Sequence, residues 1–143
     1  MKPGFEQLKK NEANSSLTQL ILDLPEFEPY WHFHPEFELT FIISGSGKRI
    51  VGDSVEPFQE ADLVLLGSDL PHTWNSGNNN HTNESCKAVV FQFSHKILSD
   101  LVSEFPEFES IRRLLSIAHR GISFHGEQAL ETGNKLLKLS KSN

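Results

Sequence analysis

Residues 31–45 of the chain read WHFHPEFELTFIISG, and this stretch decides the fold. In a β-strand, successive side chains point to opposite faces of the sheet, so alternate residues share one face. One face of this segment is apolar and consists of Phe33, Phe37, Leu39, Phe41 and Ile43. The other face is ionisable and consists of His32, His34, Glu36 and Glu38. The alternation predicts a long strand over residues 31–44, which other elements must cover on its apolar side.

The ionisable face has the composition of a metal site. Two histidines separated by one residue lie about 7 Å apart along a strand, so both imidazoles can reach one ion. Glu38 can add a carboxylate, and an antiparallel partner strand after the turn at 67–71 can bring His72 alongside. Such ligands suit zinc, nickel, manganese, iron or copper. Spacing alone, however, favours a simpler interpretation, a half-buried strand whose polar face is in water.

Further strands are predicted where short apolar runs end at turn-forming residues. They cover Leu17–Leu24, which Pro25 stops, and residues 48–51, 62–66 and 88–93. Strands at this spacing, separated by Gly, Pro and Asn, indicate an all-β barrel or sandwich.

The hydrophobic period becomes helical after Ser94. Apolar residues from Leu98 to Phe105 form one stripe that Pro106 ends, and a second stripe from Phe108 to Ala118 is closed by Gly121. A third helix is predicted from about residue 128 to residue 140. We therefore expect a barrel domain over residues 1–94 and a helical segment for covering and dimerisation over residues 95–143.

Composition excludes several classes of protein. The net charge is −6, with 19 acidic against 13 basic residues, and no basic cluster suited to phosphates is present. One cysteine allows neither an internal disulfide nor a cysteine-bound zinc. No apolar stretch has the length of a signal peptide or a membrane span, so we expect a cytoplasmic protein without a membrane partner.

The spacing His32-x-His34-x3-Glu38-x6-Gly45 resembles the first sequence motif of the cupins at every specified position. The second cupin motif is matched in spacing, and His72 falls on its histidine. Other positions differ, since Ala61, Gly67 and Asp69 stand for Gly, Pro and Gly, and Ser76 stands for Asn. The resemblance implies a mainly β protein, a cupin-type jelly-roll barrel followed by C-terminal helices. It also implies a divalent transition metal, bound inside the barrel by His32, His34, Glu38 and His72.

A second resemblance covers most of the chain. The segments concerned are residues 32–40, 52–58, 62–67, 70–74, 111–115 and 120–124. They are similar to the N-terminal sensor domain of AraC-family transcriptional regulators. This resemblance implies a small effector, often a sugar, in the barrel, and a homodimer formed through the helices. In that family DNA is bound through a C-terminal helix-turn-helix domain, which we expect to be absent from this chain.

Three further residues are candidate effector contacts. Trp74 can stack on a sugar ring or pack in the core. Gln92 can form a hydrogen bond to an effector or face solvent at a sheet edge. Glu36 shares the ionisable face and can bind a hydroxyl or support a metal ligand.

Three functions compete at this point. The first is effector sensing in a transcriptional regulator. The second is a small metal-dependent cupin enzyme, such as an isomerase, epimerase or dioxygenase, for which Glu36 is the one additional acid–base group. The third is a metal-free cupin that only dimerises.

Overall fold

The computed structural model describes residues 2–5, 17–77 and 85–142. Within these ranges there are ten strands and three α-helices. The strands are β1 (Gly4–Phe5), β2 (Leu17–Leu24), β3 (His32–Phe33), β4 (Phe37–Ser44), β5 (Gly47–Val51), β6 (Ser54–Phe58), β7 (Leu63–Leu66), β8 (His72–Asn75), β9 (Cys86–Phe93) and β10 (Ile122–Phe124). The helices are α1 (His95–Glu104), α2 (Glu109–Ile117) and α3 (Gly126–Lys141). Short 3₁₀ turns at Pro106–Phe108 and Ala118–Arg120 follow α1 and α2.

Two five-stranded sheets form the body of the protein, with the orders β1-β3-β8-β5-β6 and β10-β7-β4-β9-β2. All neighbouring strands are antiparallel except β1 and β3. The prediction of a mainly β, cupin-type barrel followed by helices is confirmed.

The long strand predicted over residues 31–44 is wrong in one respect, because the structure divides it into β3 and β4. Residues 35 and 36 form a bend between the two strands. Pro35 has no N–H to donate to a ladder, so a continuous strand loses a bond there. At the bend, the carbonyl of His34 accepts a hydrogen bond from the backbone N–H of Asp69 at 2.8 Å. This hydrogen bond links the end of β3 to the turn that precedes His72.

Helix α3 covers the outer face of the second sheet. Phe41, Leu63, Val89 and Phe91 form a buried cluster with Ala129 of α3, and Leu136 packs against it. A side chain at Gly133 would overlap the ring of Phe41, so glycine permits the close approach of helix and sheet. Phe37, further along β4, stacks on Phe93. Helical cover of this apolar face was expected, and for the cluster around Phe41 it is confirmed.

Strand β10 was not predicted. Ile122–Phe124 pairs with β7, so a strand of the C-terminal segment extends the barrel sheet. Gly121, which has φ of +79°, leads into this strand after the turn that follows α2. Three residues are too few for a recognisable alternating pattern. No helix in the described ranges is long and apolar enough to cross a bilayer.

Candidate functional site

Three histidines converge in the barrel interior. His32 of β3 pairs with His72 of β8, and His34 lies between β3 and the bend. One ring nitrogen from each histidine can be chosen such that all three atoms lie within 4.8 Å of one another. His34 and His72 are each 1% exposed, whereas His32 is half-buried. We refer to His32, His34 and His72 as the histidine cluster.

Backbone carbonyls orient all three rings. The Nδ1 atom of His32 contacts the carbonyl oxygen of Tyr30, that of His34 contacts Glu36 at 3.1 Å, and that of His72 contacts Leu70 at 2.7 Å. A carbonyl oxygen only accepts, so each Nδ1 carries the proton. The Nε2 atom of each ring is thereby left as the atom that can bind a metal ion.

Glu38 of β4 lies beside this cluster and is 5% exposed. Its Oε2 atom is 2.8 Å from His34 Nε2 and 3.5 Å from His72 Nε2. Two neutral groups also hold the carboxylate: Thr40 donates to Oε1 at 2.8 Å, and Gln92 Nε2 donates to Oε2 at 3.1 Å. Both oxygens of Glu38 are therefore positioned by neighbouring side chains.

The electrostatics favour an ion pair between His34 and Glu38. Burial opposes charge on both groups, and by itself it would lower the pKa of His34 and raise that of Glu38. The hydrogen bond and the charge of Glu38, together with the carbonyl and carboxylate of Glu36, outweigh burial and raise the pKa of His34. The hydrogen bond from His34 and the charges of His34 and His72 outweigh burial and hold the pKa of Glu38 well below its usual value.

Glu38 and two of the histidines are spaced as metal ligands are. Atoms that share one ion at ~2.1 Å lie roughly 3.0 to 3.4 Å from each other. The separations of Glu38 Oε2 from His34 and His72, 2.8 and 3.5 Å, are close to this range. In addition, His72 Nε2 is buried without a hydrogen-bond partner, as expected of an atom that completes its bonding with an ion. The residues present therefore fit a divalent metal.

A cavity of about 300 Å³ adjoins the cluster. His32, Glu38 and Gln92 belong to its lining, which also contains Leu20, Leu22, Leu24, Phe27, Glu28, Tyr30, Thr40, Ile42, Thr73, Trp74, Ala88 and Val90. Residues of both sheets contribute, so the cavity lies between the sheets. We refer to it as the barrel cavity.

No protein-family model and no curated protein matches the sequence. Among solved structures, a 1.65 Å structure of ToxT from Vibrio cholerae is 18% identical, with a TM-score of 0.59, and the match covers 89% of this chain and 47% of ToxT. ToxT bound to (E)-4-(8-methylnaphthalen-1-yl)but-3-enoic acid gives 18% identity, a TM-score of 0.56 and the same coverage. The chain thus spans about half the length of ToxT, an AraC-family regulator with an N-terminal cupin-like domain.

This chain has a cupin fold. Of the four residues expected to bind metal, His32, His34 and His72 form the histidine cluster, and Glu38 lies beside His34 and His72. That these residues bind a metal stays a prediction. Burial of His34 and Glu38 excludes the alternative in which this face is simply in water.

The three candidate effector contacts have different surroundings. Gln92 is 4% exposed in β9, between β4 and β2, so the alternative of a solvent-facing edge residue is wrong. Trp74 lines the barrel cavity and also packs against the core, so both of its expected environments are present. Glu36 does not belong to the cavity lining, and its carboxylate lies 3.7 Å from His34 Nδ1.

Sequence reasoning missed several residues of the site. Thr40, which holds Glu38, follows it by two positions on the same strand face, so the alternation could have identified it. The cavity is also lined by three leucines of β2, namely Leu20, Leu22 and Leu24. Their sequence pattern predicted a strand but did not indicate that they line a cavity. Which strand closes the cavity depends on the order of strands in the sheet, which the sequence does not state.

Proposed function

We propose that this chain is the effector-sensing domain of a cytoplasmic transcriptional regulator of the AraC type. The observation that carries the proposal is the barrel cavity, which is large enough for a small organic molecule. The fold similarity to ToxT, which extends over 89% of this chain, supports it. ToxT binds a naphthyl-butenoic acid, so a protein that contains this fold can take a ligand of that size.

The effector contacts that we propose are Trp74 and Gln92, since both line the barrel cavity. Glu36 lies behind His34 and outside the lining, so we assign it to the support of that histidine. The sugar implied by the family resemblance is one candidate effector, because Trp74 offers a flat apolar face.

A divalent transition metal, namely zinc, nickel, manganese or iron, is proposed as the cofactor. His32, His34 and His72 would bind it through Nε2, and Glu38 through its carboxylate. The ion would supply a Lewis acid at the polar end of the barrel cavity. Thr40 and Gln92 would hold the Glu38 carboxylate in position to bind the ion.

The homodimer that we propose forms through α3. Ala129, Gly133 and Ser140 of this helix are buried against the barrel, whereas Leu130 and Leu139 are 47% and 56% exposed. Exposed leucines of this kind can pair with those of a second copy. The net charge of −6 gives the chain no attraction for phosphates, so we expect DNA contact only through a further domain.

A ligand-dependent reporter tests the sensing function. The chain is fused to a heterologous DNA-binding domain that requires dimerisation, and reporter output is measured with sugars, medium-chain alcohols and medium-chain acids. We expect at least one compound to change the output. Leu22→Trp fills the barrel cavity and should abolish the response, whereas Ile21→Trp, an exposed neighbour on the same strand, should retain it. Equal output with every compound, or equal responses of the two variants, would contradict the proposal.

The second candidate function is a metal-dependent enzyme, favoured by the position of the histidine cluster beside the barrel cavity. Metal-loaded protein and its His72→Ala variant are incubated with a metabolite extract, and both mixtures are compared by mass spectrometry. A metabolite consumed by the native protein alone would support the enzyme. Identical mixtures would favour the sensor.

A further inference from the structure

The lining of the barrel cavity specifies the chemistry of its ligand. We infer that the cavity takes an uncharged molecule with an apolar body and one terminal hydroxyl, rather than a carboxylic acid or a sugar. The inference rests on the proposed effector-sensing function and names the class of effector.

On β4 and β9, the register of the strands places the most polar pair of cavity-lining residues at one end of the cavity. Glu38 of β4 is paired with Gln92 of β9, which is the polar end. The next cavity-facing pairs are Thr40 with Val90 and then Ile42 with Ala88. The second pair from Glu38 and Gln92 is therefore fully apolar.

Strand β2, on the other side of β9, adds further apolar residues to the cavity wall. Its Leu20 is paired with Val90 and its Leu22 with Ala88. A sugar would place hydroxyls against these leucines, where they lose hydrogen bonds to water without replacement. The apolar walls therefore favour a hydrocarbon body.

Gln92 identifies the group needed at the polar end. Its Nε2 atom donates to Glu38 Oε2 at 3.1 Å, and because a carboxylate only accepts, this contact fixes the orientation of the amide. The Oε1 atom is then left buried and without a hydrogen-bond partner. A buried acceptor of this kind needs a donor, which a hydroxyl provides and a carboxylate does not.

Trp74 needs a hydrogen-bond acceptor, whereas Gln92 needs a donor. Its Nε1–H is also buried without a partner, and the residue lines the same cavity. A hydroxyl both donates and accepts, so it can satisfy either of these two groups.

The charges of the lining disfavour an acid. Within the described part of the chain, no lysine or arginine lines the cavity, and its carboxylates are Glu28 and Glu38. Glu38 already lies against His34 and His72. In the metal-free protein, a ligand carboxylate would lose hydration without gaining a lysine or arginine partner.

The test compares matched probes by the fluorescence of Trp74. Trp31→Phe removes the other tryptophan, and titrations are run with chelator so that no metal can hold an anion. We expect 1-octanol to bind at least tenfold more tightly than octanoate, and glucose not to bind. Octanoate or glucose binding as tightly as octanol would overturn the inference but leave the cavity as a ligand site. No response to any probe would overturn both the inference and the proposed sensing function.

A variant tests the role of Gln92 directly. Gln92→Leu removes the acceptor and should weaken octanol binding about three- to tenfold, the value of one hydrogen bond, without weakening octanoate binding. Lys87→Met, an exposed change on the same strand, should bind octanol as the parent does. Circular dichroism checks that both variants are folded. Unchanged octanol binding by folded Gln92→Leu would overturn the hydrogen bond on which the inference depends.

Discussion

His34 Nε2 lies 2.8 Å from Glu38 Oε2, and neither side chain is more than 6% exposed. Because Nδ1 of this histidine donates to the carbonyl of Glu36, a proton on Nε2 makes the ring a cation that faces an anion. Without a metal, the pair is therefore a buried ion pair. A metal ion at the same position must displace that proton.

The first prediction concerns the stability of chelated protein against pH. The pKa of His34 is raised above 6.5. Its contribution to the free energy of unfolding is therefore complete below pH 6.5 and is lost as pH rises through the raised pKa. The pKa of Glu38 lies well below 4.5, so its contribution is complete above pH 4.5 and is lost as pH falls through the lowered pKa. Both contributions are complete between pH 4.5 and 6.5.

Urea unfolding of the native protein and of Glu38→Gln checks this window. The difference between their free energies of unfolding should be largest from pH 4.5 to 6.5 and should shrink above it. Glu131→Gln, an exposed carboxylate on α3, is the control and should show no such maximum. A difference that does not vary with pH would contradict the ion pair.

The second prediction concerns metal affinity. Thr40→Val and Gln92→Leu each remove a hydrogen bond that positions Glu38, and such supporting contacts are worth about 10- to 100-fold in metal affinity. Calorimetric titration with zinc should show this loss, and Thr40→Ser should restore most of it. Affinity should also fall as pH is lowered, because protons compete for the histidines. Elemental analysis of protein purified without chelator provides the baseline, and absence of stoichiometric metal there would argue against the site.

The third prediction concerns the contact between α3 and the barrel. Gly133→Ala places a methyl group against the ring of Phe41, and overpacking of this kind costs about 1–3 kcal/mol. The free energy of unfolding should fall, although alanine is the better helix former. Asn134→Ala, an exposed neighbour, should raise it by roughly 0.5 kcal/mol. Equal stabilities for native protein and Gly133→Ala would mean that α3 is not held against Phe41.

The fourth prediction concerns the dimer. Leu130→Lys and Leu139→Lys place charges on opposite exposed flanks of α3, and the variant whose flank pairs should convert a dimer to a monomer in light scattering. Glu131→Lys changes charge on the same helix without removing an apolar side chain, and it should remain dimeric. A native protein that scatters as a monomer would contradict the proposed dimer.

Much of the fold could be predicted because it depends on local patterns. The apolar run Leu17–Leu24 became β2, and Pro106 follows α1 as expected. The alternation placed His32, His34 and Glu38 on one face, and the resemblance to the two cupin motifs added His72. The break at Pro35 could not be located, since the residues on both sides of it have a strand pattern.

Features that depend on long-range packing could not be predicted. Strand β10 is recognisable only by its pairing with β7. The role of Gln92 requires Glu38 as its neighbour across two strands, a register that no local pattern fixes. The barrel cavity likewise depends on which strand lies next to β9.

Strand β2, which supplies the leucine wall of the barrel cavity, has one partner strand in the described sheet, whereas β9 has two. Detaching β2 breaks a single ladder, so its backbone amides should exchange with solvent deuterium sooner than those of β9. A molecule held against Leu20 and Leu22 would slow that exchange. We therefore expect ligands to enter the cavity where β2 detaches.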